Sequence, residues 1–200
     1  MPRPARPFEG IQHLAIKVSD LDRALRFYTG ILGFAVSEIH PPGEHPALPD
    51  LGLCFLRSTL LHHDLNLVFR RGKDPDLEAL PKTDQGHAKD LGIHHFALRV
   101  RDRAEFEAWR AWLGENGVAL VRGPVVHSPT HPEGDGTWGE NRAMYFCDPD
   151  GHRIEIFCEM AELDPETNGI HPRWYAERLR QEGLDPSQYP PAPPYRPVAH

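Results

Sequence analysis

Residues 11–20 read IQHLAIKVSD and residues 93–102 read IHHFALRVRD, so Ile, His, Ala, Val and Asp recur at one constant offset. Each copy leads into a helical pattern. The first continues LDRALRFYTGILGF, with apolar residues at Leu21, Ala24, Leu25, Tyr28 and Leu32. The second continues RAEFEAWRAWLGENGV, with Phe106, Trp109, Ala111 and Leu113 in similar phase. A strand-plus-helix unit repeated once, with one histidine at the same place in each copy, predicts two modules around a shared site, His13 facing His95. That pairing points to a metal.

Strand alternation separates the faces. Ile11, His13, Ala15 and Lys17 share one side of the first strand, and Leu14, Ile16 and Val18 the side that meets the helix. In the second copy His94, Phe96, Leu98 and Val100 form the helix-side set, while His95 goes with Ala97. A lone strand histidine is more often a hydrogen-bonded structural residue than a ligand, but two at one position of an internal repeat reverse those odds.

A third ligand comes from the run Ala143 to Glu159, AMYFCDPDGHRIEIFCE. Asp148-Pro149-Asp150-Gly151 suits a type I turn followed by a left-handed glycine, which predicts a hairpin with a three-residue loop. In that register Asp148 faces His152, Cys147 faces Arg153, and Tyr145 lies opposite Glu155, so the last two share a face. Glu155 stands among Ile154, Ile156 and Phe157, where a carboxylate costs several kcal/mol unless it is paired or bound to a cation. The competing reading is an ion pair with an arginine such as Arg99. His13, His95 and Glu155 make a two-histidine, one-carboxylate set, the arrangement that holds non-heme Fe(II) and leaves other positions open; Mn(II) fits the same donors. Aligning His63-Asp64-Leu65-Asn66-Leu67-Val68 with His152-Arg153-Ile154-Glu155-Ile156-Phe157 puts Asn66 where the second module has Glu155. A fourth acidic ligand is therefore absent.

Composition bounds the rest. Two hundred residues suit one globular unit, expected to be α+β with two βαβββ modules forming one incomplete barrel around the metal. The boundaries are an N-terminal tail 1–8, a first module 9–72, a linker 73–92, a second module 93–160 and a Pro-rich C-terminal extension 161–200. That extension carries a short helical reading, Arg173 to Glu182, and then SQYPPAPPYRPVAH; it packs along the domain, joins a partner subunit in a homo-oligomer, or stays loose. The net charge of -7, with basic residues interspersed among acids, argues against a nucleic-acid surface. The lack of a long apolar run or a leader pattern argues for a cytoplasmic protein without a membrane partner. Cys54, Cys147 and Cys158 lack ligand spacing and read as reduced core thiols.

The strand–helix repeat, the ligand pattern and the ending YFCDPDGHRIEIF resemble the vicinal oxygen chelate superfamily, and within it the type I extradiol catechol dioxygenases, over about residues 11–160. Three shorter stretches carry the narrower resemblance. These are His63-Asp64-Leu65 before the second ligand, in Leu-Gly-Ile-His94-His95; Gly123-Pro124 followed by His127 and His131; and Tyr145 ten residues before Glu155. The resemblance implies meta cleavage of a catechol-type aromatic diol by O2 at Fe(II). It implies His63, rather than its neighbour His62, as the acid–base residue by the oxygen position. His127, ahead of His131, would bond to substrate oxygen, and Tyr145 would orient the diol. Its rivals are a glyoxalase-like isomerase, a metal-dependent thiol transferase, and a non-enzymatic resistance protein that sequesters a small molecule. The Gly- and acid-rich insertion 132–141, PEGDGTWGEN, reads as a mobile lid, a substrate-sizing loop or an inert surface loop.

Overall fold

The computed structural model describes residues 11–44, 49–72, 93–137, 139–164, 166–167 and 169–194; the tail 1–8 and the linker 73–92 lie outside them. The chain divides into two compact units. The first holds residues 1–81 with the turn 148–151, and the second holds residues 82–147 and 152–200.

In the first unit, strand β1 (Leu14–Lys17) leads to helix α1 (Leu21–Leu25), then β2 (Ala35–His40), β3 (Gly52–Arg57) and β4 (Leu65–Phe69). The last Asp of the repeat, Asp20, caps α1 by accepting a hydrogen bond from the Arg23 N–H. The helical pattern expected through Leu32 is realised only in part as α-helix, because Arg26–Ile31 continues with the wider π-helical spacing. The sheet order is β1-β4-β3-β2, with β1 parallel to β4 and the other pairs antiparallel. Ile16 and Val18 are buried while Ala15 and Lys17 are exposed, as the alternation requires; they join Ala24, Phe27, Tyr28, Leu56 and Leu67 in the core. The aspartates of the turn 148–151 are used structurally here. Tyr28 donates to Asp148 at 2.9 Å, and Ser19 donates to Asp150 at 2.6 Å. Gly151 has φ +90°, the left-handed value that favours glycine at the end of this turn.

The second unit repeats the plan. Strand β5 (Phe96–Arg99), helix α2 (Arg103–Glu115), β6 (Leu120–His127), β7 (Asn141–Cys147) and β8 (Arg153–Cys158) are followed by helix α3 (Pro172–Gln181). Asp102 caps α2 as Asp20 caps α1, so the repeated aspartate has a local role in both copies. The order β5-β8-β7-β6 reproduces the first sheet, again with one parallel pair, and neither sheet closes on itself. The expected fold class, α+β with two matching modules, is therefore present as two open four-stranded sheets.

The equivalence reaches single residues. Ala15 pairs with Asn66, which also pairs with Phe55; Ala97 pairs with Glu155, which also pairs with Tyr145. Asn66 and Phe55 thus occupy in one unit the places of Glu155 and Tyr145 in the other.

The C-terminal extension packs along the second unit through α3, which starts at Pro172 and buries Tyr175, Arg178 and Leu179. The Tyr175 hydroxyl lies 3.0 Å from Thr130 Oγ1, and Arg178 lies 3.5 Å from Glu140 and 3.6 Å from Glu182. Cys54, Cys147 and Cys158 are buried and form no disulfide, in keeping with core thiols. Burial pushes the Cys54 thiol up to about 11, and burial together with the Glu159 charge takes Cys158 up to about 12. Among the described residues no helix is long and apolar enough to cross a membrane.

Candidate metal and proton-relay site

One face of the second sheet gathers polar groups in a row. The turn 148–151 fixes the register of β7 against β8, so Tyr145 and Glu155 stand directly opposite, as the hairpin loop predicts. Both are buried, 6% and 5% exposed, although β8 reads as an apolar strand. The reason is the alternation. Ile154 and Ile156 point to the opposite, helix-covered face, while Arg153 and Glu155 share the face of Tyr145.

Glu155 is not paired with Arg99. Its carboxylate lies 3.1 Å from His95 Nε2 and accepts a hydrogen bond from Asn141 Nδ2 at 3.3 Å. Across the ladder it stands opposite Tyr145. Tyr145 is enclosed further by the His95 ring, whose centroid is 5.6 Å away and edge-on, and by the Arg153 guanidinium 4.2 Å from its ring centre. Burial above all, and then the negative charge of Glu155, drives the Tyr145 pKa far up, with Arg153 opposing. The phenol therefore keeps its proton at any ordinary pH.

Beyond Tyr145 the row continues. His127 Nε2 lies 2.8 Å from the Tyr145 oxygen, and His127 Nδ1 lies 2.9 Å from Asp135 Oδ2. Burial pushes the Asp135 pKa up, but hydrogen bonds from Thr137, with His127 and Arg122 close by, outweigh it and bring it down to about 2. Asp135, His127, Tyr145, Glu155 and His95 thus form one continuous chain of contacts. The phenol has a single proton, and the nitrogen nearest to it is His127 Nε2.

Sequence reasoning and structure part company at His94. Strand alternation assigns it to the helix side, yet its Nε2 lies 3.1 Å from Arg153 Nη1, on the same face as Glu155. The ladder of β5 begins only at Phe96, so strand alternation does not govern residues 94 and 95. The structure also separates His127 from His131. His127 contacts Tyr145, whereas His131 Nε2 turns to Glu182 at 2.7 Å.

In the first unit the His13 and His63 rings pack with centroids 4.5 Å apart and planes tilted by 59°, Phe55 packs 4.8 Å from His63, and His62 lies beside His63 with Nδ1 atoms 3.0 Å apart. His13 Nδ1 contacts Gln12 Oε1 at 2.7 Å, which leaves its Nε2 to another partner. Partial desolvation first, and then the neighbouring His13 and His62, lower the His63 pKa, with Asp64 opposing. The Asn66 Oδ1 is buried without a hydrogen-bond partner, a neutral orphan where the second unit has its carboxylate.

Among the described residues, His131, Glu133 and Glu182 place ligand atoms within 4.8 Å of one another and are a group that could hold a cation. Arginines already occupy it: Arg103 bonds to Glu182, Arg142 lies 3.2 Å from Glu133, and Arg178 lies 3.6 Å from Glu182. A divalent ion there would meet three fixed positive charges. His95 and Glu155 are the better-suited pair, since imidazole nitrogen and carboxylate are both good ligands for Fe(II) or Mn(II) and the buried carboxylate calls for a cation. The parts played by Asp135, Arg122, Arg153, Asn141 and Glu182 do not follow from the sequence pattern. Asp135 lies in an insertion with no periodicity, and only its placement between Gly134 and Gly136 hints at a tight turn.

The chain belongs to the Glyoxalase/Bleomycin resistance protein/Dioxygenase superfamily, whose model matches residues 10–156. Members generally hold a divalent metal. The chain is 27% identical over 148 residues to the metallothiol transferase FosB of Staphylococcus epidermidis, covering 74% of this chain and 82% of that protein. It is 24% identical over 149 residues to a catechol-2,3-dioxygenase of Bacillus subtilis, covering 74% of this chain but only 41% of that longer protein. A glyoxalase family protein from Enterococcus faecalis shares the fold, with a TM-score of 0.53, 24% identity, and coverage of 75% of this chain and 98% of that one.

Proposed function

We propose that the chain is an extradiol ring-cleavage dioxygenase acting on a catechol-type aromatic diol with O2, with His13, His95 and Glu155 holding one Fe(II). The observation that carries this reading is the hydrogen-bonded pair His127 and Tyr145 set directly against Glu155, the buried carboxylate beside His95. His13 enters through the repeat, since it stands before β1 as His95 stands before β5. Bound Fe(II) supplies a centre through which electron density from a chelated diolate reaches dioxygen.

The protein's own residues do the rest. Tyr145, kept protonated by burial, directs its one proton to His127 Nε2 and presents its oxygen to accept a hydrogen bond from a substrate hydroxyl. Arg153 over the Tyr145 ring favours an anionic oxygen nearby. His63, whose ring packs 4.5 Å from that of His13, would exchange a proton beside that ligand. Asn66, a neutral amide at the register position of Glu155, would add no fourth acidic ligand.

A second reading, a metal-dependent thiol transferase, is favoured by the 82% coverage of the metallothiol transferase against 41% of the catechol dioxygenase. The two are separated by purifying the protein without oxygen, loading Fe(II), and offering a panel of catechols with O2. A yellow ring-fission product is the expected outcome. Silence across the panel, together with Mn(II)-dependent loss of free thiol in the presence of electrophilic acceptors, would assign the transferase instead.

Two substitutions test the residue roles. Tyr145→Phe removes only the hydroxyl, so fold and metal content survive while catechol affinity or turnover falls by about 1–3 kcal/mol, the cost of an unsatisfied polar partner; unchanged kinetics would remove Tyr145 from the reaction. His63→Phe retains stoichiometric iron and lowers turnover by ~10²-fold, the scale of a lost acid–base group. Loss of the iron in that variant would make His63 a ligand and the triad wrong.

A further inference from the structure

The described part of the insertion 132–141 is not a free loop but a turn folded back on β6. The Asp135 N–H donates to the Val126 carbonyl at 2.9 Å, the Gly136 N–H donates to the Ser128 carbonyl at 3.2 Å, and Gly134 forms a parallel bridge with Val126. A Cβ on Gly134 would stand 2.2 Å from the Ser128 carbonyl oxygen, backbone against backbone, so no other residue fits. The root of the turn is held as well. Ser128 donates to Glu140 at 2.9 Å, and His131 contacts Glu182 just past α3. This rigid turn delivers one side chain, Asp135, to His127.

We infer that Asp135 is a positioning residue for the reaction proposed above, holding His127 with its hydrogen on Nδ1 so that the Nε2 lone pair faces the Tyr145 hydroxyl; the reaction part of the inference rests on that reading. The hydrogen inventory requires this tautomer. Asp135 Oδ1 accepts from the Thr137 backbone N–H at 3.0 Å and from the Thr137 hydroxyl at 2.6 Å. Asp135 Oδ2 accepts from Arg122 at 2.8 Å and faces His127 Nδ1 at 2.9 Å. The other neighbour of Nδ1 is the Thr137 hydroxyl oxygen at 2.8 Å, whose hydrogen already points to Asp135. Both neighbours of Nδ1 are acceptors, so Nδ1 carries the hydrogen. In the neutral ring Nε2 is then the acceptor, and the phenol proton of Tyr145 has a defined destination. The insertion thereby acts on the site, since without Asp135 and Thr137 the hydrogen of His127 could sit on Nε2, the nitrogen that faces Tyr145.

The test uses the full-length, 15N-labelled protein and reads the His127 tautomer from two-bond nitrogen–proton correlations, assigned by their loss in His127→Gln. The wild type is expected to show the Nδ1–H pattern. Asp135→Ala should abolish it, lower kcat on a catechol that the wild type cleaves by about 10- to 100-fold, and leave metal content unchanged and KM within about three-fold. Asp135→Glu should restore the Nδ1–H pattern and part of kcat, which a merely structural loss would not allow. Asp135→Asn, of the same shape, is read by the same signals if the alanine variant does not fold. An Nε2–H pattern in the wild type, or an Nδ1–H pattern that persists without the carboxylate, would overturn the inference. Should the wild type cleave no catechol while the tautomer responds as stated, the proposed reaction fails and the positioning of His127 by Asp135 stands.

Discussion

The second unit is organised around a carboxylate in an otherwise apolar strand. Burying Glu155 costs several kcal/mol unless its oxygens are satisfied; His95 and Asn141 contact them, and Tyr145 stands opposite. Several of these groups are held in turn by others. Tyr145 is wedged between Arg153 and the His95 ring, His127 leans on Asp135, and Asp135 is pinned by Thr137 and Arg122. The result is one row of polar groups in contact along a single face of the second sheet.

The two copies differ where the chemistry lies. The pairing Ala15, Asn66, Phe55 in one sheet matches Ala97, Glu155, Tyr145 in the other. The histidine before the first strand and the aspartate that caps the helix are kept in both. At those matched positions only the second sheet carries a carboxylate and a phenol.

Much of this is legible in the sequence, because it is written in local rules. The repeat foretells the two sheets, the strand alternation foretells the buried faces, and Asp148-Pro149-Asp150-Gly151 fixes the register that sets Tyr145 opposite Glu155. The illegible parts depend on contacts between residues far apart in the chain. His94 reaches Arg153 because it precedes the regular ladder of β5 and is free of its alternation. Asp135 reaches His127 through a turn shaped by Gly134. The C-terminal extension, which composition alone leaves open, docks because Tyr175 and Leu179 bury apolar surface while Arg178 and Glu182 enter a network with Glu140, Glu159, His131 and Arg103. That network also explains why a buried histidine with two glutamates is an ion-pair clasp rather than the preferred cation site.

The metal reading requires that the repeat supply one histidine from each copy and the second hairpin the carboxylate, all to a single ion. A crystal structure of the Mn(II)-loaded protein decides it. The expected result is one ion bound by His13, His95 and Glu155 at roughly 2.0–2.3 Å, by analogy with other imidazole and carboxylate sites. An ion held by His131, Glu133 and Glu182, or a Glu155 that keeps His95 and Tyr145 as partners with the cation elsewhere, would refute it.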